Sequence, residues 1–409
     1  MDIVPDSSAT PRHWSEPQPP DSSPLDAVLS KRNTMALLSA IASVSIVGIG
    51  LSLVMSLLSL LLGEQGYSAR AIGLNPAAAG LATLVGAPLA PLLARRFGLT
   101  PVLFFSLFLG ALCLAAFAVT RSYWAWLVLR AIFGGALTMQ FVLSEYWINV
   151  LAPPERRGFI MGLYATSLAL GFVTGPAILS GVGTEGTLPF LIPIGLFLLA
   201  SLPILLGARA APEIETASES GVVSFLLRAP VASFAGLLHG MIEMAAFGLL
   251  PLFALQANLG PAMGARLAGF FALGNVLFQI PLGLASDRFE RRQLLLIISL
   301  LGLGGALLLP LVGPTHQNLF CGLLVIWGGV AGSLYPIGLA YLGAQYKGAE
   351  LASANAAFVM LYSLGMLAGP PLMGYGMDLL MPNGFFLTIG ALFTLYLGFI
   401  AWCLVRGHD

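Results

Sequence analysis

From Met35 onward the chain repeats one pattern, an apolar run of 20 or more residues followed by a short polar break. Each run is long enough to cross a ~30 Å hydrocarbon core as a helix, in which backbone N–H and C=O groups pair within the segment. A membrane β-barrel needs segments of about ten residues with alternating polarity, and that alternation is absent. The pattern predicts twelve spans, at 35–63, 71–94, 100–120, 123–148, 158–181, 187–207, 228–256, 262–286, 293–313, 317–343, 352–375 and 384–406. The polar stretch ARAAPEIETASES divides them into two sets of six. The expected organisation is a tail over 1–34, a six-helix bundle over 35–207, a linker over 208–227, a second bundle over 228–406 and a C-terminus over 407–409. The tail is rich in Pro, Ser and Asp (PDSSATPRHWSEPQPPDSSP) and reads as disordered, because it lacks apolar surface to bury. The first apolar run begins too late and runs too long for a signal peptide, so it is expected to remain as a span.

Composition agrees with lipid as the main solvent. Hydrophobic residues make up 58% of the chain and charged ones 9%, against roughly a quarter charged in soluble domains. Mean hydropathy is +0.91. The net charge is zero, which gives no reason to expect a nucleic-acid partner. Cys113, Cys321 and Cys403 sit inside apolar runs, and His13, His239, His316 and His408 are scattered, so neither a disulfide framework nor a metal cluster is expected.

Charge placement orients the chain. With the N-terminus inside, fourteen Lys and Arg fall on the cytoplasmic side and only Arg70, Arg121 and Arg266 on the other. The positive-inside rule therefore predicts cytoplasmic termini. An internal duplication is also visible. GLASDRFERR (283–292) is echoed by PLLARRFG (91–98), with Asp287 opposite Arg95 at an offset of 192. GFVTGPAILSG (171–181) answers GMLAGPPLMG (365–374), and Phe133-Gly134-Gly135 answers Trp327-Gly328-Gly329, both at 194. An even number of spans separates the copies, so the halves are parallel repeats.

These motifs resemble the major facilitator superfamily. GLASDRFERR is similar to its cytoplasmic signature, LVLRAIFGGA (127–136) to its fourth-span arginine motif, and the two G-x-x-x-G-P stretches to motifs of spans five and eleven known from drug:proton antiporters. SEYWIN (144–149), FGLLPLF (247–253) and SLYPIGLAY (333–341) resemble the YcaD-like branch. The resemblance implies an all-α membrane protein of two pseudo-symmetric six-helix bundles, with spans one, four, seven and ten around a central cavity. It also implies a cytoplasmic latch between the halves, made here by Asp287, Arg288, Arg291 and Arg292. In the first copy Arg95 stands where the family carries its acid, beside Arg96, so that latch is expected to be impaired. Enforcement of topology alone is the other reading of these clusters. Gly171, Gly175, Pro176, Gly365, Gly369 and Pro370 are expected to serve close helix packing and bending.

Four ionisable residues lie within spans, where charge is costly and suggests function: Arg130, Glu145, His239 and Glu243. His239 and Glu243 are four apart on the seventh span, about 6 Å along one face. Desolvation penalises the charged form of a carboxylate and of an imidazole alike, which suits a proton carrier; a static pair pinning the helix is the alternative. Arg130 can hold an anionic substrate group, set the protonation of a carboxylate across the cavity, or bond backbone carbonyls; the resemblance favours the second. Glu145 lies about 22 Å further along that helix, near the cytoplasmic end, where a latch to Arg156 or Arg157 is expected. Trp147 is expected as an interfacial anchor. Gln140, Trp327, Tyr335, Asn275 and Gln279 are polar or aromatic candidates for the cavity wall, each also suited to interhelical glue.

No phosphate-binding loop and no paired nucleophile and base are present, which argues against an ATPase or other enzyme. The expectation is a monomeric, cofactor-free secondary transporter in the bacterial inner membrane. It would move a small molecule by alternating access, driven by a proton gradient, with export favoured over uptake. A transporter-derived sensor or scaffold is the alternative.

Overall fold

The structure is a computed structural model that describes residues 24–152, 157–212, 230–346 and 348–406. Twelve helices among them are long and apolar enough to cross a membrane. Five run without interruption in the first half: Pro24–Glu64, Ala69–Phe97, Leu99–Val119, Tyr123–Leu151 and Arg157–Val182. The sixth span comes in two pieces, Leu188–Leu199 and Ser201–Gly207. In the second half Pro230–Gln256, Pro261–Arg288 and Arg291–Val312 are followed by a divided tenth span, Gln317–Gly332 and Leu334–Gln345. Gly348–Leu379 and Gly384–Arg406 complete the set. The chain is thus an all-helical, multi-pass membrane protein.

Two departures from the expected spans have local causes. The first helix begins at Pro24, eleven residues before the apolar run starts. Proline is pre-set for a helix's first turn, and no helix breaker follows it before Met35. The remainder of the expected tail, 1–23, and most of the expected linker lie outside the described residues. In the tenth span the break falls at Ser333, whose hydroxyl donates to the Val330 carbonyl at 2.6 Å. Beside the break, the Asn275 side chain of span eight fills the space that a Cβ on Gly332 would take.

Spans one and seven are the most enclosed, with 83% of their apolar windows buried. That places most polar groups within those windows inside the protein, away from lipid. The repeat is visible in the packing. Span five lies against span one, and span eleven against span seven. A Cβ on Gly171 would meet Ser45 and Ile49, and one on Gly175 would meet Ser52 and Ile49; on Gly365 and Gly369 it would meet Leu237 and Met241. The glycines of the two G-x-x-x-G-P stretches therefore allow backbones to touch, as small residues do within membranes. Pro176 and Pro370 lie inside their helices one step beyond.

The halves meet along two seams, span two against span eleven and span five against span eight. The first is closed at the end of the bundle away from the termini, here called the far end. Gly73 lies against the Pro370 carbonyl, Gly80 against the backbone at Leu367, and Gly374 against Ala69. At the same end Asp378, on the last turn of span eleven, accepts hydrogen bonds from the backbone N–H of Ala69 (2.7 Å) and Arg70 (2.9 Å). The Ser68 hydroxyl accepts from Ala71 N–H at 3.3 Å. The opening N–H groups of span two, which a helix cannot satisfy internally, are thus capped partly from the opposite half, with a carboxylate at the positive helix end.

Candidate functional site

Span seven carries His239 into the interior, 6% exposed, and sets Glu243 one turn further along the same face. Their nearest atoms, His239 Nε2 and Glu243 Oε2, are 3.4 Å apart. The other ring nitrogen, Nδ1, lies 3.3 Å from the Ala331 carbonyl of span ten. Tyr362 of span eleven donates its hydroxyl to Glu243 Oε2 at 2.7 Å. The His239 ring packs against Tyr335 (centroids 5.5 Å) and Tyr362 (5.8 Å), and the two tyrosines pack on each other at 5.2 Å. Gly240 makes this possible, because a Cβ there would collide with the Tyr362 carbonyl.

The first half supplies a second carboxylate. Tyr164 of span five donates to Glu145 Oε1 of span four at 2.9 Å. Tyr335 and Tyr362 lie within electrostatic reach of both Glu145 and Glu243. Five spans from two halves therefore converge on one polar cluster of two carboxylates, three tyrosines and a histidine. Both acids are accessible: Glu145 is exposed, and the Glu243 side chain is 28% exposed. Glu145 faces Tyr335 and Tyr362 across the divide between the halves, and Tyr164 faces Tyr335 in the same way. The cluster therefore lies between the halves rather than on the lipid face.

Other candidates fall elsewhere. The expected partners of Glu145, Arg156 and Arg157, have side chains outside the described ones; the partner observed is Tyr164. Gln140 departs from a cavity wall: it is buried, its Nε2 donates to Ser43 (3.1 Å) and its Oε1 accepts from Ser106 (3.1 Å). Both ends of the amide are used in binding spans one, three and four together. Trp327 is also core, donating to the Gly302 carbonyl at 2.9 Å and packing on Phe271 and Phe386. Trp147 is not an interfacial anchor; it is fully buried and packs against Gly207, whose missing side chain admits the indole. Asn275 and Gln279 are half-buried on span eight.

Arg130 is 1% exposed and has no carboxylate partner among the described residues. The acid whose protonation it was expected to set is thus not within ion-pair distance of it in this state. At the terminal end of the bundle, Arg95, Arg96 and Arg288 are exposed. Arg96 lies over the Phe97 ring at 5.3 Å. Arg291 is half-buried and Arg292 buried, and the Asp287 side chain lies outside the described ones.

Sequence reasoning missed Tyr164, Tyr362 and Asp378. A lone tyrosine in an apolar run carries no periodic signal, and an acid at a span's end reads as solvated.

A two-half helical bundle with an acid-bearing central cleft is the architecture of a membrane transporter. The Major Facilitator Superfamily model matches residues 40–269 and again 232–408, and the chain belongs to this superfamily. It is 28% identical over 342 residues to the MFS-type transporter YfkF of Bacillus subtilis, covering 82% of this chain and 87% of that one. It is 25% identical over 371 residues to the MFS-type transporter YcaD of Escherichia coli, covering 90% and 94%. These relatives support the YcaD-like branch. Among solved structures, the nucleoside transporter NupG superposes with a TM-score of 0.71 at 16% identity, over 92% of this chain and 98% of that one. A D-xylose-proton symporter superposes at 0.66 and 17%, over 91% and 97%. At such identities the likeness speaks for the fold. The protein is a transporter and not an enzyme.

Proposed function

We propose that this chain is a proton-coupled secondary transporter that moves a small molecule by alternating access, with His239 and Glu243 carrying the proton. The observation that supports this most is the contact of His239 with two different acceptors. A carbonyl oxygen only accepts, so the Nδ1 contact with Ala331 is a hydrogen bond when that nitrogen bears its proton. The opposite contact, Nε2 with Oε2, then holds one exchangeable proton, as imidazolium–carboxylate or as imidazole–carboxylic acid. Loss of that proton turns two lone pairs towards each other and separates the groups. Tyr362 keeps its hydrogen bond to Glu243 in both forms. Protonation thereby changes the side-chain arrangement at the meeting point of spans seven, ten and eleven.

With cytoplasmic termini, as the charge distribution favours, the closed far end would face outward. Rocking of the halves about the cluster would expose it to the other face. The likeness to a D-xylose-proton symporter is compatible with proton coupling. Export is favoured by the G-x-x-x-G-P stretches, through their resemblance to antiporter motifs. The reading further assigns the protein to the bacterial inner membrane, as a monomer whose driving force is the proton gradient.

The test begins with a solute found by thermal-shift screening at two pH values. Proteoliposomes of the wild type are expected to concentrate that solute under an imposed pH gradient. Glu243→Gln should still exchange it across the membrane without concentrating it. Accumulation at the wild-type level by the variant would remove Glu243 from the mechanism.

A further inference from the structure

We propose that Arg130 is the centre of a binding site for a compact monovalent anion, a halide, lying between the two halves near the far end. A small cavity there is lined by Ser59 of span one, Asn75 and Pro76 of span two, Arg130 of span four and Gly248 of span seven. Its polar groups share one character. Arg130 Nε and Nη1, Asn75 Nδ2 and Ser59 Oγ are all buried without a hydrogen-bond partner. The guanidinium and the amide nitrogen can only donate, and the hydroxyl can donate as well. Arg130 is 1% exposed, Ser59 3% and Asn75 4%, so bulk water does not satisfy them.

The charge points the same way. An unpaired buried ion costs several kcal/mol, and no described carboxylate pairs with this guanidinium. The Phe133 ring, 5.7 Å from the guanidinium carbon, offers a cation–π contact that does not use the N–H groups. What fits is a negative acceptor without protons of its own. The space is close to that of one water-sized particle, so a carboxylate of a transported solute is too large and a monatomic anion fits with a small give of the walls. The position also ties binding to conformation. Gly248 belongs to the second half, and a Cβ on it would lie 3.0 Å from Pro76 of the first. The walls therefore come together when the far end is closed.

Binding is measured on the purified full chain without any transported solute, so its outcome is independent of the proton-coupling reading. Chloride and bromide, exchanged for gluconate at constant ionic strength, should raise the thermal midpoint. Radiolabelled chloride should bind at about one per chain, and Arg130→Gln should weaken it at least tenfold. Since that variant leaves a large hole, Asn75→Asp provides the second arm. It puts a carboxylate of the same shape into the donor cluster as an internal counter-charge. The variant should fold, be at least as stable as wild type in gluconate, and lose its response to chloride. Stabilisation by formate or acetate with none by halide would overturn the halide site in favour of a solute's carboxylate. Equal midpoints in chloride and gluconate, or an unchanged chloride response in Asn75→Asp, would overturn an anion site at Arg130 altogether.

Discussion

Glu243 and Glu145 share a residue type and a cleft, yet their surroundings differ. Glu243 has a histidine and a tyrosine at one oxygen, whereas Glu145 has a tyrosine as its side-chain partner among the described residues. Hydrogen bonds to charged groups are worth about 1.5–3 kcal/mol, so removing either hydroxyl should be measurable without rebuilding the helices. Tyr362→Phe is expected to fold normally and to lower the rate of proton-driven transport by roughly tenfold or more. Tyr164→Phe, which acts on the acid lacking a histidine, should reduce transport less than Tyr362→Phe; the ratio of initial rates in proteoliposomes checks both. The histidine–glutamate pair was legible in the sequence because four-residue spacing on one helix is a local property. The tyrosines were not, since their partners are 119 and 19 residues away. Gln140 and Trp327 show the converse: a polar group on such a span can direct its hydrogen bonds to neighbouring helices.

The spans themselves were readable because lipid imposes a length rule and leaves few alternatives. Their interruptions were not: the break at Ser333 lies beside Asn275 of a different helix, a neighbour that no local pattern announces. The repeated G-x-x-x-G-P stretches carried correct information about packing, and the fold gives it a quantitative form. A Cβ on Gly175 would collide with Ser52 and with backbone of span one, while one on Gly135 would meet nothing within 4 Å. Gly175→Ala should therefore destabilise the protein by about 1–3 kcal/mol, the usual cost of overpacking. Gly135→Ala, in the same half, should be neutral or slightly stabilising from helix propensity alone. Thermal midpoints of the two purified variants make the comparison, and equal midpoints would contradict the assigned packing.

Across the whole molecule, the closed far end rests on a backbone seam with one carboxylate at its edge. A helix cap contributes about 0.5–2 kcal/mol, and about 1.4 kcal/mol is a tenfold change in an equilibrium. Asp378→Ala should shift the balance of states several-fold towards an open far end, with Asp378→Asn in between. Spin labels placed across the far ends of spans two and eleven would register this as a growing long-distance population. Unaltered distance distributions would show that the glycine seam alone holds the end shut.

Asp378 reaches the main chain of Ala69 and Arg70 and touches neither side chain to make its bonds. Such a clasp grips any residue that owns an amide hydrogen, so the exposed position 70 is free to drift without loosening it. Proline is the exception, and Arg70→Pro should release one of its two attachments while leaving the acid untouched. Methods that look for matched changes at paired positions would be blind to this fastening, although it joins the two halves of the protein.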